Sequence, residues 1–138
     1  MFYTPVDYFS VLLAALAGMV VGFVWYSPLL FAKPWMRYAK IDAKKLKESQ
    51  KKMGKTYVMS FITTVVTAFI LALLLNASLV ITMTEGLMLG GVVWLGFVAT
   101  TMFTGVLFSE MPMGLFLINS GYQLASILVM SAILTAMM

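Results

Sequence analysis

Lys33-Pro34-Trp35-Met36-Arg37-Tyr38-Ala39-Lys40-Ile41-Asp42-Ala43-Lys44-Lys45-Leu46-Lys47-Glu48-Ser49-Gln50-Lys51-Lys52-Met53-Gly54-Lys55 contains all nine basic residues of the chain. Charge stops abruptly on either side of this stretch. Residues 8–32 before it carry none, and 56–84, 86–109 and 111–138 after it are three further uncharged runs separated only by Glu85 and Glu110. About 20 apolar residues cross a bilayer as a helix, so each run is long enough for one crossing and too short for two. The segment and its flanks therefore predict an all-α membrane protein. Four transmembrane helices are expected near 5–27, 56–77, 85–108 and 112–136, in one domain covering 1–138, with a basic cytoplasmic segment at 33–55.

Composition agrees. Of 138 residues, 62% are hydrophobic and 10% charged, with a mean hydropathy of +1.01, whereas a soluble domain covers itself with roughly 25% charged residues. The basic segment sets nine cations against Asp42 and Glu48, a net of +7; the rest of the chain has only Asp7, Glu85 and Glu110, a net of −3. Basic loops stay on the cytoplasmic side. The expected location is thus the plasma membrane, a bacterial inner membrane, multi-pass with both termini outside. Such a one-sided bias also makes any homo-oligomer parallel. No cation precedes Lys33, so the first run lacks the basic start of a signal peptide and is expected to stay in the mature protein.

Local signals mark the helix ends. Thr4-Pro5-Val6-Asp7 reads as a start, with Thr4 as N-cap, Pro5 at the first helical position and Asp7 two residues on. Trp25 and Tyr26 suit an interface, and Pro28 ends or kinks the helix, leaving 29–38 along the cytoplasmic surface. Within the basic segment, Asp42 as cap, Ile41 and Leu46 as a staple and Gly54 as a stop predict a short helix between the first and second spans. Asn76-Ala77-Ser78 supplies turn chemistry after the second span, and Pro112 opens the fourth.

Several activities are disfavoured by what is missing. The chain has no Cys and no His, which removes thiol nucleophiles, imidazole bases and the usual soft metal ligands. No Asp, Glu, Lys or Arg falls inside a run, so single-carboxylate proton coupling has no residue to use. The thirteen methionines scatter round the helices as packing groups and not as a copper site. No enzyme activity and no cofactor or metal is expected.

Polar residues within the spans gather towards the cytoplasmic halves: Ser60, Thr63, Thr64 and Thr67; Thr100, Thr101 and Thr104; Asn119, Tyr122 and Gln123. Spacings of three and four place Ser60 with Thr64, Thr100 with Thr104 and Asn119 with Gln123 on common faces. They are expected to line one inward pocket, with Tyr26 and Ser27 at its rim. Serine and threonine hydroxyls can also return to a carbonyl one turn back, and that is the expectation for most of them. Asn119 and Gln123 each bring a carboxamide with up to four hydrogen bonds to satisfy away from water. Ala14, Gly18 and Gly22, and again Gly86 and Gly90, form small-residue rows that let helix backbones approach closely. Lys33, Arg37, Lys44, Lys45, Lys51, Lys52 and Trp35 are placed to meet anionic lipid headgroups. Lipid explains aromatics beside cations at an interface, and no nucleic-acid partner is expected.

Two stretches carry a resemblance. At Trp25-Tyr26-Ser27-Pro28-Leu29-Leu30-Phe31-Ala32-Lys33-Pro34-Trp35-Met36 and at Leu115-Phe116-Leu117-Ile118-Asn119-Ser120-Gly121-Tyr122-Gln123-Leu124 the chain resembles a family of small four-helix membrane proteins of bacteria and some fungi, known only as a domain of unknown function. The resemblance implies a topology and a membrane location, and no activity, cofactor or site residue. From the residues themselves, the expected function is a non-enzymatic oligomeric bundle that binds or passes a small solute or lipid through a cytoplasm-facing polar pocket. The alternative is an accessory subunit of a larger membrane complex.

Overall fold

A computed structural model describes residues 6–39 and 53–137. All its regular elements are helices: α1 (Tyr8–Trp25), α2 (Ala32–Ala39), α3 (Met53–Ala77), α4 (Met83–Val93), a π-helical turn (Trp94–Ala99), α5 (Thr100–Ser109) and α6 (Met113–Ala136). Because α4, the π turn and α5 run on without a break, four helices are long and apolar enough to cross a membrane: Tyr8–Trp25, Met53–Ala77, Met83–Ser109 and Met113–Ala136. The chain is thus built as a multi-pass membrane protein.

The ends have local causes. Residues 1–5, with the expected cap at Thr4, lie outside the described part; the observed N-cap is Asp7, and the helix starts at Tyr8. The Asp7 carboxylate accepts the Phe9 amide at 3.1 Å and the Ser10 hydroxyl at 2.6 Å. These donors, the Ser10 hydroxyl first, hold its pKa below the ordinary carboxylate value, against a smaller opposing push from desolvation. At the other end α1 stops three residues before Pro28. The amides of Leu30 and Ala32 bond to the Ser27 carbonyl and that of Phe31 to the Trp25 carbonyl, which turns the chain into α2.

Asp42, Ile41 and Leu46, and with them the expected basic helix, lie outside the described residues. Gly54 does not stop a helix as expected but sits in the first turn of α3, which starts at Met53, with open space where a side chain would be. Leu79, after α3, takes a left-handed φ of 56°, and the amides of Ser78, Leu79 and Val80 close on the carbonyls of Leu74, Asn76 and Leu75. Thr82 then caps α4: its hydroxyl accepts the Glu85 amide at 3.2 Å while the Glu85 carboxylate accepts the Ile81 amide at 3.2 Å. Thr82-Met83-Thr84-Glu85 has the capping-box pattern, with the carboxylate reaching the amide one residue before the cap.

In the packing, α1 lies against both α3 and α6, and α4 lies against α6, whereas α3 touches α6 and α4 only sparsely. The core collects in the half of the bundle nearer Asp7, where Val11, Ala14, Ala15, Ala68, Leu71, Leu75, Ile127, Met130 and Leu134 are buried. Both small-residue rows are used within the chain. A side chain at Gly18 would meet Ser126, Thr64 and Met130, one at Gly22 would meet the Tyr122 ring, and those at Gly86 and Gly90 would collide with Thr135 and Ser131. In the other half, nearer the basic segment, α3 and α6 leave a cleft between them.

Candidate functional site

The end of this cleft is built by the turn after α1. Trp25 Nε1 donates to the Ile118 carbonyl at 2.9 Å, and Gly121 leaves room for the indole, since a Cβ there would stand 3.0 Å from its ring. Tyr26 OH donates to Asn119 Oδ1 at 2.7 Å. Its ring meets Tyr122 and Trp35 edge-on, with centroids 5.4 and 5.9 Å away. Farther along α2, the Tyr38 ring occupies the space that Gly114 leaves open. The two stretches that carried the family resemblance, 25–36 and 115–124, are therefore each other's partners: the turn and α2 fold back onto the first turns of α6.

Between these walls lie two adjoining chambers. The outer, of about 300 Å³, is lined by Met19, Gly22, Phe23, Tyr26, Tyr57, Ser60 and Tyr122. The inner, of about 280 Å³, is lined by Ser60, Thr63, Thr64, Thr67, Tyr122, Gln123, Ser126 and Met130. Ser60 and Tyr122 belong to both, and among the described residues no charged one lines either. The hydroxyls of Thr63 and Thr64 donate to the Ser60 carbonyl, at 2.9 and 2.7 Å, and that of Thr67 to the Thr63 carbonyl at 3.0 Å. They keep their acceptor lone pairs for the chamber. The Gln123 carboxamide lines the inner chamber and finds no hydrogen-bond partner among the described residues.

The other expected site residues divide. Asn119 and Gln123 share a face but not a task, since Asn119 is engaged by Tyr26. Thr101 and Thr104 do not join the cleft: both are exposed, with Thr104 bonded back to the Thr100 carbonyl at 3.0 Å. Ser27 bonds to the Val24 carbonyl at 2.7 Å and lines neither chamber. Lys33 and Arg37 stand exposed on one side of α2, Arg37 over the Tyr38 ring at 5.2 Å. Trp35 is half-buried and turned to Tyr26, while Lys44, Lys45, Lys51 and Lys52 lie outside the described residues. Tyr57 and Ser126 were not anticipated. Ser126 follows Tyr122 at four residues and Gln123 at three, a spacing that could have marked it.

A family model described as "Protein of unknown function (DUF1761)" matches residues 9–135, nearly the whole chain. The chain belongs to the DUF1761 family. No curated protein and no solved structure matches it. The DUF1761 match spans all four apolar helices and both halves of the cleft, so the site lies wholly within the family's domain.

Proposed function

We propose that this DUF1761 protein is a non-enzymatic membrane protein that binds, and passes along its cleft, a small uncharged solute or the head of a lipid from the cytoplasmic side. The observation that carries this reading is Gln123, a carboxamide without a partner among the described residues, in a polar chamber to which no described residue brings a charge. In a membrane an unmatched carboxamide is costly, so a ligand that completes its hydrogen bonds is favoured. The net +7 of residues 33–55 supports a cytoplasmic mouth, and exposed Lys33 and Arg37 suit anionic headgroups there. The expected oligomer is parallel. A second reading, an accessory subunit, draws on the third span, whose outer side exposes Met88, Val92, Leu95, Phe97, Leu107 and Phe108 and is open to a partner helix.

The test substitutes Asn119→Leu and Gln123→Met. Both remove polarity and keep volume, so Gln123→Met leaves thermal stability in detergent unchanged and lowers ligand retention or flux in liposomes about tenfold, the loss of a hydrogen bond or two. Asn119→Leu, which strands the Tyr26 hydroxyl, lowers stability by about 1 kcal/mol. A large loss of stability from Gln123→Met, with retention unchanged per folded molecule, would mean that Gln123 is a helix-packing group. Orientation is read from cysteines at Ser49 and Ser78: an impermeant thiol reagent should reach position 78 in intact cells and position 49 only after lysis.

A further inference from the structure

Thr67 borders more than the inner chamber. On its far side Thr67 also lines a third hollow of about 260 Å³, formed with Val66, Ile70, Leu71, Leu74, Val93 and Ile127. Among the described residues Thr67 is the one polar member of that lining. Along α3 the character of the surface therefore changes in order: Tyr57 at the mouth, Ser60 to Thr67 polar, then Ile70 to Leu74 apolar. Seven residues separate Ser60 from Thr67 and seven more lead to Leu74. At about 1.5 Å per residue each section is roughly 10 Å long.

We infer that the ligand is a lipid with an uncharged, hydrogen-bonding head and a hydrocarbon tail, its head at Gln123 and its tail in the hollow beyond Thr67. This rests on the reading of the cleft as a binding site and names the class of its ligand. A water-soluble solute would use the polar chamber and leave the apolar hollow idle. A headgroup with formal charge would have to leave the interface and descend roughly 10 Å past the tyrosines into a chamber where no described residue supplies a counter-charge, which is costly at that depth. The hydroxyls of a glycerol or alcohol head both donate and accept, and Gln123 and the acceptor lone pairs of Thr63 and Thr64 match them. The hollow gives the tail an apolar wall on α3 and α6 and at Val93 of the third span. The direction also fits a lipid of the leaflet at the basic end, whose head faces that end and whose tail points to the bilayer centre.

Binding of three probes to the purified full chain in a short-chain detergent distinguishes the cases: monooleoylglycerol, oleate and glycerol, read by native mass spectrometry and by the shift in melting temperature. Monooleoylglycerol should bind at least tenfold more tightly than oleate, which has the same chain and a charged head, and glycerol should not bind. Gln123→Leu should weaken monooleoylglycerol about tenfold. Ile70→Phe, a change at a half-exposed position that fills the hollow, should weaken it similarly while the protein stays folded. Equal binding of oleate would overturn the neutral head. Glycerol binding that Gln123→Leu abolishes and Ile70→Phe leaves intact would overturn the lipid while keeping the cleft as a solute site. Folded variants that change the binding of no probe would overturn both.

Discussion

Gly90 is one of the close points between the third span and α6, and replacing it with alanine gives a quantitative test of the packing. The added Cβ would collide with Ser131 Oγ and stand 3.2 Å from Ser131 Cβ and 3.4 Å from Ile127 Cγ2. Ser131 is fully buried and has no room to withdraw. Overpacking of this kind costs about 1 to 3 kcal/mol, offset by about 1 kcal/mol of better helix propensity. Gly91→Ala is the internal control, because open space surrounds Gly91 and only the propensity gain applies. The two variants should therefore differ by about 1 to 3 kcal/mol, the overpacking alone. Since the Ser131 hydroxyl is buried without a hydrogen-bond partner among the described residues, Ser131→Ala by itself should be close to neutral. Combined with Gly90→Ala it should recover about 1 kcal/mol or more, a coupling typical of residues in contact. Reversible unfolding in mixed micelles, followed by circular dichroism, measures all four proteins. Equal shifts for Gly90→Ala and Gly91→Ala, or no relief from Ser131→Ala, would refute this docking of the third span.

Three further outcomes are expected. Asp7 has a folded pKa below 3.8, so its contribution to stability is complete above the unfolded value and is lost as pH falls through the folded one; Asp7→Asn should flatten that acid limb in melts taken from about pH 6 down to about pH 3. Glu110 ends α5 with a φ of 54°, a conformation that costs a side chain about 1 kcal/mol, so Glu110→Gly should raise the melting temperature and Glu110→Val should lower it. Tyr26→Phe and Asn119→Leu should each destabilise by about 1 kcal/mol and together by little more than either alone, because they break the same hydrogen bond.

Charge placement made the four spans legible, since a bilayer leaves few choices to an uncharged run of this length. Caps were harder: Thr4 was read as the cap and Asp7 as a first-turn residue, whereas Asp7 is the cap and its carboxylate accepts the Ser10 hydroxyl. The polar face of α3 and α6 was readable from spacing alone, because both helices keep a regular turn through it. The third span was not. Its π turn over Trp94–Ala99 inserts about one extra residue, which rotates everything after it by about 100° relative to an unbroken α-helix. Thr101 and Thr104 follow that turn and face outward. Nor did the sequence disclose that Asn119 belongs to Tyr26, a pairing across 93 positions that only the folding back of the turn after α1 creates.

Two tryptophans reach α6 through its peptide backbone: Trp25 donates to the carbonyl of Ile118, and Trp94 to that of Ser120, each at 2.9 Å. A main-chain oxygen is present whatever side chain its residue carries. The two anchors are therefore one-sided in their tolerance to change. Positions 118 and 120 can drift among residues that fit their surroundings without loosening either bond, whereas Trp25 and Trp94 cannot be exchanged even for phenylalanine without losing the donor. In a library of random substitutions this asymmetry would appear as two intolerant indoles facing two permissive acceptors, a pattern that pairwise covariation between side chains would miss.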